Sequence, residues 1–162
     1  NHASNIDPPL MASLIDRPVS YMAKIELFEN PIFGAAIRRC HAFPVKRGAS
    51  DRGAIKAAVT VLKEGCVLGL FPEGTRSKTG ELQKAEAGVA LIAAMTGAPI
   101  VPVAILNTHR IFANGGLIPQ LRIMYGVPIS FHGDRKSKES LDTFSEEIMA
   151  QIARMKDELA RK

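Results

Sequence analysis

The stretch NHASNIDPP places a histidine at position 2 and an aspartate five residues on at position 7. A histidine becomes a useful general base when its far ring nitrogen donates to a carboxylate, which fixes the tautomer and stabilises the imidazolium formed on proton abstraction. Five residues along a helix is a rotation of about 140°, which would point the two side chains apart, so pairing requires a turn. Pro8 biases Asp7 to extended geometry, and Pro8-Pro9-Leu10 can begin a helix for which Asp7 is the N-cap. A turn from His2 to Asp7 can therefore bring the pair together. The competing reading is plainer: Asp7 serves only as a cap, and His2 is an exposed terminal residue.

A second group lies in FPEGTRS, Phe71 to Ser77, at the end of the strand-like run CVLGLF. Loops at the carboxyl ends of strands in α/β sheets are where ligands bind. Here Gly74 lets backbone approach a ligand closely, and Arg76 offers a planar fork for phosphate. Glu73 can hold Arg76 or accept a hydrogen bond from a hydroxyl. The segment is not a nucleotide P-loop, because the Gly-x4-Gly-Lys-Ser/Thr pattern is missing and Lys78-Thr79 stands in the wrong register. The alternative is a surface turn closed by a Glu–Arg ion pair.

Positioning these loops requires alternating elements. DRGAIKAAVTVLKEG sets Ile55, Ala58, Val59 and Leu62 at helical spacing and ends in a glycine suited to a helix C-terminus. CVLGLF has strand length, FPVKR (Phe43 to Arg47) reads as another short strand, and Pro31 to Arg39 as a short helix with proline at its first turn. The residues from Ala87 to Leu106 carry no charge and are long enough in principle to cross a bilayer. However, Thr96-Gly97-Ala98-Pro99 interrupts them, so the reading is a buried helix from about Lys84 to Met95, a turn, and a buried strand from about Ile100 to Leu106. LRIMYGVPI follows as a strand. Ser137 to Lys162 form a long helix whose stripe of Leu141, Phe144, Ile148, Ile152, Met155 and Leu159 suits core packing better than a coiled coil. Strands alternating with helices give the α/β class, with a central, mostly buried mixed sheet flanked by helices.

Composition narrows the function classes. At 162 residues and 46% hydrophobic content the chain can bury a sizeable core. Its net charge of +5 is concentrated between Arg38 and Lys56, where Arg38, Arg39, Lys46, Arg47, Arg52 and Lys56 face one acid, Asp51. Such a zone attracts phosphates on a metabolite, a lipid headgroup or a nucleic acid, and is otherwise a solvated basic face. Nucleic acid is the weaker partner, since stacking platforms need aromatics and the chain has no Trp and two Tyr. Cys40 and Cys66 make no disulfide framework and show no metal-ligand spacing, so no metal is expected; both read as small buried hydrophobes in a reducing compartment.

Taken together, NHxSxxD near the start and FPEGTRS some 70 residues later resemble the 1-acyl-sn-glycerol-3-phosphate acyltransferase family, the glycerolipid acyltransferases with an His-x4-Asp motif. FPVKR looks like the family's second block and IVPVAI (Ile100 to Ile105) like the fourth, so the resemblance spans nearly the whole chain. It implies that His2 is the catalytic base and Asp7 its orienting partner. It also implies that Arg47, Glu73, Gly74, Thr75 and Arg76 bind the acceptor's glycerol phosphate, with Lys24 in YMAKIELF a further candidate contact. Lys46 precedes Arg47 where many members carry an acid, which makes this edge more cationic. The implied reaction moves a fatty acyl group from a thioester, acyl-CoA or acyl carrier protein, to the 2-hydroxyl of lysophosphatidic acid, with no cofactor. Direct attack is the simpler route; Ser4 is the alternative, as an acyl-enzyme nucleophile.

The same residues would serve a glycerol-3-phosphate acyltransferase or a lysophospholipid remodelling enzyme. A non-catalytic phospholipid-binding domain is the reading from another class. The resemblance further implies one catalytic domain over residues 1–162, preceded in the family by a hydrophobic membrane-docking segment, and a place at the cytoplasmic face of the cell membrane. Ile32, Phe33, Leu117 and Ile118 are candidates for the wall of an acyl-chain groove or, equally, for the core.

Overall fold

In a computed structural model, residues 1–45, 52–77, 79–111 and 119–161 are described. Their elements are α1 (Asp7–Ala12), β1 (Val19–Lys24), α2 (Pro31–Arg39), β2 (Ala42–Val45), α3 (Arg52–Lys63), β3 (Val67–Gly69), α4 (Gly88–Thr96), β4 (Val103–Leu106), β5 (Arg122–Tyr125) and α5 (Lys138–Arg161), with single helical turns at Ile25–Phe28 and Thr108–Arg110. They divide into two compact units: Ala12–Leu70, and Asn1–Met11 together with Phe71–Lys162.

The Ala12–Leu70 unit is built on a parallel sheet in the order β2-β1-β3. The central strand, β1, buries Val19, Ser20 and Tyr21 at its start and ends at exposed Lys24, which is paired in register with Val45 of β2. Gly69 lies opposite Tyr21 on β3, and a Cβ there would come 2.2 Å from the tyrosine ring, so the glycine makes the space that the ring fills. Helix α2 begins as its sequence suggests, with Pro31 in the first turn and the Asn30 side chain accepting hydrogen bonds from the Ile32 and Phe33 N–H groups. Helix α3 turns its half-buried apolar stripe inward around fully buried Ala58.

One expectation fails in this unit, and one pair of alternatives narrows. Cys40 and Cys66 are exposed free thiols, because one ends α2 and the other sits in the turn after Gly65, at surface termini of elements rather than inside them. Ile32 and Phe33 are 84% and 49% exposed, at the solvent-facing first turn of α2, and so are not core. Lys46, Arg47, Asp51, Leu117 and Ile118 lie outside the described residues.

The second unit carries the antiparallel pair β4-β5, extended by a bridge between Ile100 and Ile129. The uncharged stretch folds as a helix, a turn and a strand. Helix α4 starts at Gly88, four residues later than expected, and Gly97 closes it in the left-handed conformation at φ 69°. Among the described residues, no helix is long and apolar enough to cross a membrane. Helix α5 is seated by Ser137, whose hydroxyl accepts from the Ser140 N–H at 3.2 Å. Its Phe144, Ile148 and Ile152 pack with Ala90 and Ala93 of α4, while Met155 and Leu159 pack on Ala104 of β4. The long apolar stripe is therefore core.

Candidate active site

The Asn1–Asp7 loop belongs to this second unit, and hydrogen bonds hold residues 1–4, Ile6 and Asp7 in place. His2 Nδ1 lies 2.7 Å from Asp7 Oδ2. The same oxygen accepts the backbone N–H groups of Ala3 and Ser4, each at 2.7 Å. The sequence suggests an N-cap role for Asp7, but of the two positions an N-cap side chain serves, Pro9 carries no N–H and the Leu10 N–H donates to the Ile6 carbonyl at 2.9 Å. Its carboxylate instead turns back into the loop, and the double proline that starts α1 leaves it free to do so. Asp7 is fully buried and His2 is 8% exposed. Burial pushes the Asp7 carboxyl upward, but the hydrogen bond from His2, the hydroxyl of Thr108 and the N–H groups of Ser4 and Ala3 outweigh it and hold the group below the usual carboxylate range. An ionised carboxylate only accepts, so Nδ1 carries a proton, and in the neutral imidazole Nε2 presents its lone pair. Among the described residues, Nε2 has no hydrogen-bond partner.

FPEGTRS supplies the rest of the support. The imidazole stacks on the Phe71 ring, with centroids 4.0 Å apart and planes 22° apart. The His2 N–H donates to Glu73 Oε1 at 2.8 Å, and the His2 carbonyl accepts from the Ser77 N–H at 2.9 Å. Both main-chain polar groups of the histidine are thus satisfied by a loop seventy residues away. The second Glu73 oxygen accepts the Gln83 N–H at 3.0 Å. Glu73 is therefore buried as a brace and does not hold Arg76, which corrects one reading of this loop. Arg76 is exposed and, among the described residues, has no partner.

Gly74 takes φ 65° at the tip of the turn, where a Cβ would come 2.9 Å from Glu86 Cγ. Thr75 beside it is exposed, its hydroxyl directed to Gln83 Oε1 at 3.2 Å. Ser4 Oγ accepts from the Ile6 N–H at 3.3 Å within its own loop. Lys24 ends β1 in the other unit, and Arg47 lies outside the described residues.

Three contributors escape sequence reasoning. Phe71 and Ser77 sit inside the FPEGTRS motif, so the signal is present but their roles are not. Asn1 is the third: its carboxamide donates to the Ile105 carbonyl at 2.9 Å and accepts the Ile105 N–H at 2.8 Å, docking the loop on β4 as a neighbouring strand would. Nothing in a lone asparagine marks that pairing in advance.

A base oriented by a buried carboxylate, beside a turn whose exposed arginine has no partner among the described residues, suits transfer to an alcohol on a phosphorylated molecule. The acyltransferase family model matches residues 1–106. The 1-acyl-sn-glycerol-3-phosphate acyltransferase of Bacillus subtilis (strain 168) is 32% identical over 155 residues, which cover 93% of this chain and 75% of the relative. The enzyme of the same name from Streptococcus pneumoniae is 34% identical over 162 residues, covering 97% of this chain and 59% of the relative. The crystal structure of the 1-acyl-sn-glycerophosphate acyltransferase PlsC from Thermotoga maritima superposes with a TM-score of 0.76 at 28% identity, over 100% of this chain and 65% of that one. The chain belongs to the acyltransferase family, and within it to the 1-acyl-sn-glycerol-3-phosphate acyltransferases.

Proposed function

We propose that this protein transfers a fatty acyl group from an acyl thioester to the 2-hydroxyl of 1-acyl-sn-glycerol-3-phosphate, giving phosphatidic acid for phospholipid synthesis. The observation that carries the reading is the His2–Asp7 pair with Nε2 open, braced by the turn that bears Arg76. His2 Nε2 takes the hydroxyl proton as the oxygen attacks the thioester carbonyl; the C–O bond forms, the C–S bond breaks, and the proton passes to the departing thiolate. A thioester is already activated, so no enzyme nucleophile is needed, and the Ser4 hydroxyl is engaged in its own loop. Arg76 receives the acceptor's phosphate, turning its binding energy into orientation of the alcohol. His2 and Asp7 are the catalytic residues in this scheme; Glu73 positions His2, and Gly74 and Thr75 shape the turn. The donor is acyl-CoA or acyl carrier protein, and the acceptor is met at a membrane surface.

The test is a matrix of donors against acceptors, read as thiol release and product formation. Transfer should be fastest to lysophosphatidic acid, and preference for a lysolipid with a phosphodiester headgroup would overturn the acceptor assignment. His2→Ala should lower turnover by at least about 100-fold while acceptor binding persists. Arg76→Ala should raise the acceptor KM roughly tenfold or more, the effect of losing a charge-assisted hydrogen bond.

A further inference from the structure

Asp7 uses its two oxygens unequally. Oδ2 takes all three donors, from His2, Ala3 and Ser4, while Oδ1 is buried with no hydrogen-bond partner among the described residues. One other described side-chain atom shares that condition, the hydroxyl of Thr108, in a residue 1% exposed. A buried carboxylate oxygen and a buried hydroxyl left unpaired together are costly, and each is the partner the other lacks. The fold explains why they meet. Asn1 pins the loop to Ile105 of β4, the strand ends at Leu106, and Asn107 turns the chain at φ 69° into the helical turn that starts with Thr108. The Thr108 hydroxyl already helps to hold the Asp7 carboxyl down, although the pair stands short of hydrogen-bond geometry.

We propose that Thr108 is a positioning residue of the reaction, donating its hydroxyl proton to Asp7 Oδ1 in the working enzyme and so completing a Thr108–Asp7–His2 chain. The role rests on the acyl-transfer reading above for its effect on turnover, but the contact itself does not. With Oδ1 held, the carboxylate cannot rotate about its Cβ–Cγ bond, and Oδ2 stays aimed at Nδ1. Nε2 then points steadily at the incoming alcohol. The hydroxyl touches no substrate.

The experiment compares Thr108→Val, which keeps the shape and removes the donor, with Thr108→Ser, which keeps the donor, in the full-length protein. Two quantities are read: kcat and KM for both substrates, and the downfield proton resonance of His2 Nδ1–H. The valine variant should lose about 10- to 100-fold in kcat with both KM values unchanged, and its Nδ1 proton should move or broaden. The serine variant should restore most of the turnover and the resonance. Thr108→Ala serves as the donorless variant if valine prevents folding. Donorless and unaltered proteins with the same kcat and the same resonance would overturn the proposal, as would a serine variant no better than valine. If the unaltered protein fails to acylate lysophosphatidic acid, the functional reading falls, and the resonance alone decides the contact.

Discussion

At Asp7 and Glu73, carboxylates are spent on the protein's own loop rather than on a ligand. Because hydrogen bonds hold the Asp7 carboxyl below its usual range, the stability it contributes is fully present above about pH 4 and is lost as the pH falls through its folded value. Asp7→Asn should therefore unfold more easily than the unaltered protein near neutrality. The gap in denaturation midpoint should close as the solution is acidified; a gap independent of pH would contradict the assigned charge. Glu73→Gln replaces one acceptor oxygen with a donor, so either the His2 N–H or the Gln83 N–H meets a like group. The expected cost is about 1.5–3 kcal/mol, seen by denaturant titration, with a fall in kcat as the histidine loses its footing. The spacing of His2 and Asp7 and the proline pair allow a turn that joins them but leave a plain cap as the competing reading; the resemblance carried together with FPEGTRS is what favours the pair. The brace by Glu73 is not legible in the sequence, since the competing partner, Arg76, is local and the true ones come from distant backbone.

Most elements are legible from periodicity and punctuation, as with α2, α3 and α5. β1 does not read as a strand: VSYMAK lacks a clean alternation, because a central parallel strand is covered on both faces at its buried end. The start of α4 is misplaced for a related reason, as Ala-rich sequence carries helical propensity into Lys84–Ala87 although the helix begins only at Gly88. The ends of elements offer clean tests. Nothing lies within 4 Å of the point a Cβ would occupy at Gly97, so Gly97→Ala isolates the cost of a left-handed backbone. It should lower stability by about 1 kcal/mol without altering KM, which thermal unfolding and steady-state kinetics check together.

For the whole chain, the α/β class follows from the alternation of strands and helices and the family from four short blocks in order, whereas the division into two compact units does not follow from either. Each unit draws on segments whose pairing is non-local, and hydrophobic spacing within a segment says nothing of its partner. In the unit that holds the candidate site, α5 closes the core, and Ile148 is 2% exposed among Ala90, Ala93, Phe144 and Ile152. Ile148→Ala should cost about 2–5 kcal/mol, measured as a lowered denaturation midpoint with an unchanged acceptor KM in the protein that remains folded.

The main chain of His2 is held at both its N–H and its carbonyl by the FPEGTRS turn. Transplanting the first motif alone into a foreign scaffold would thus deliver an imidazole without its mooring. An engineer who wishes to move this chemistry, or a lineage that sheds it, must treat two segments seventy positions apart as one inherited unit.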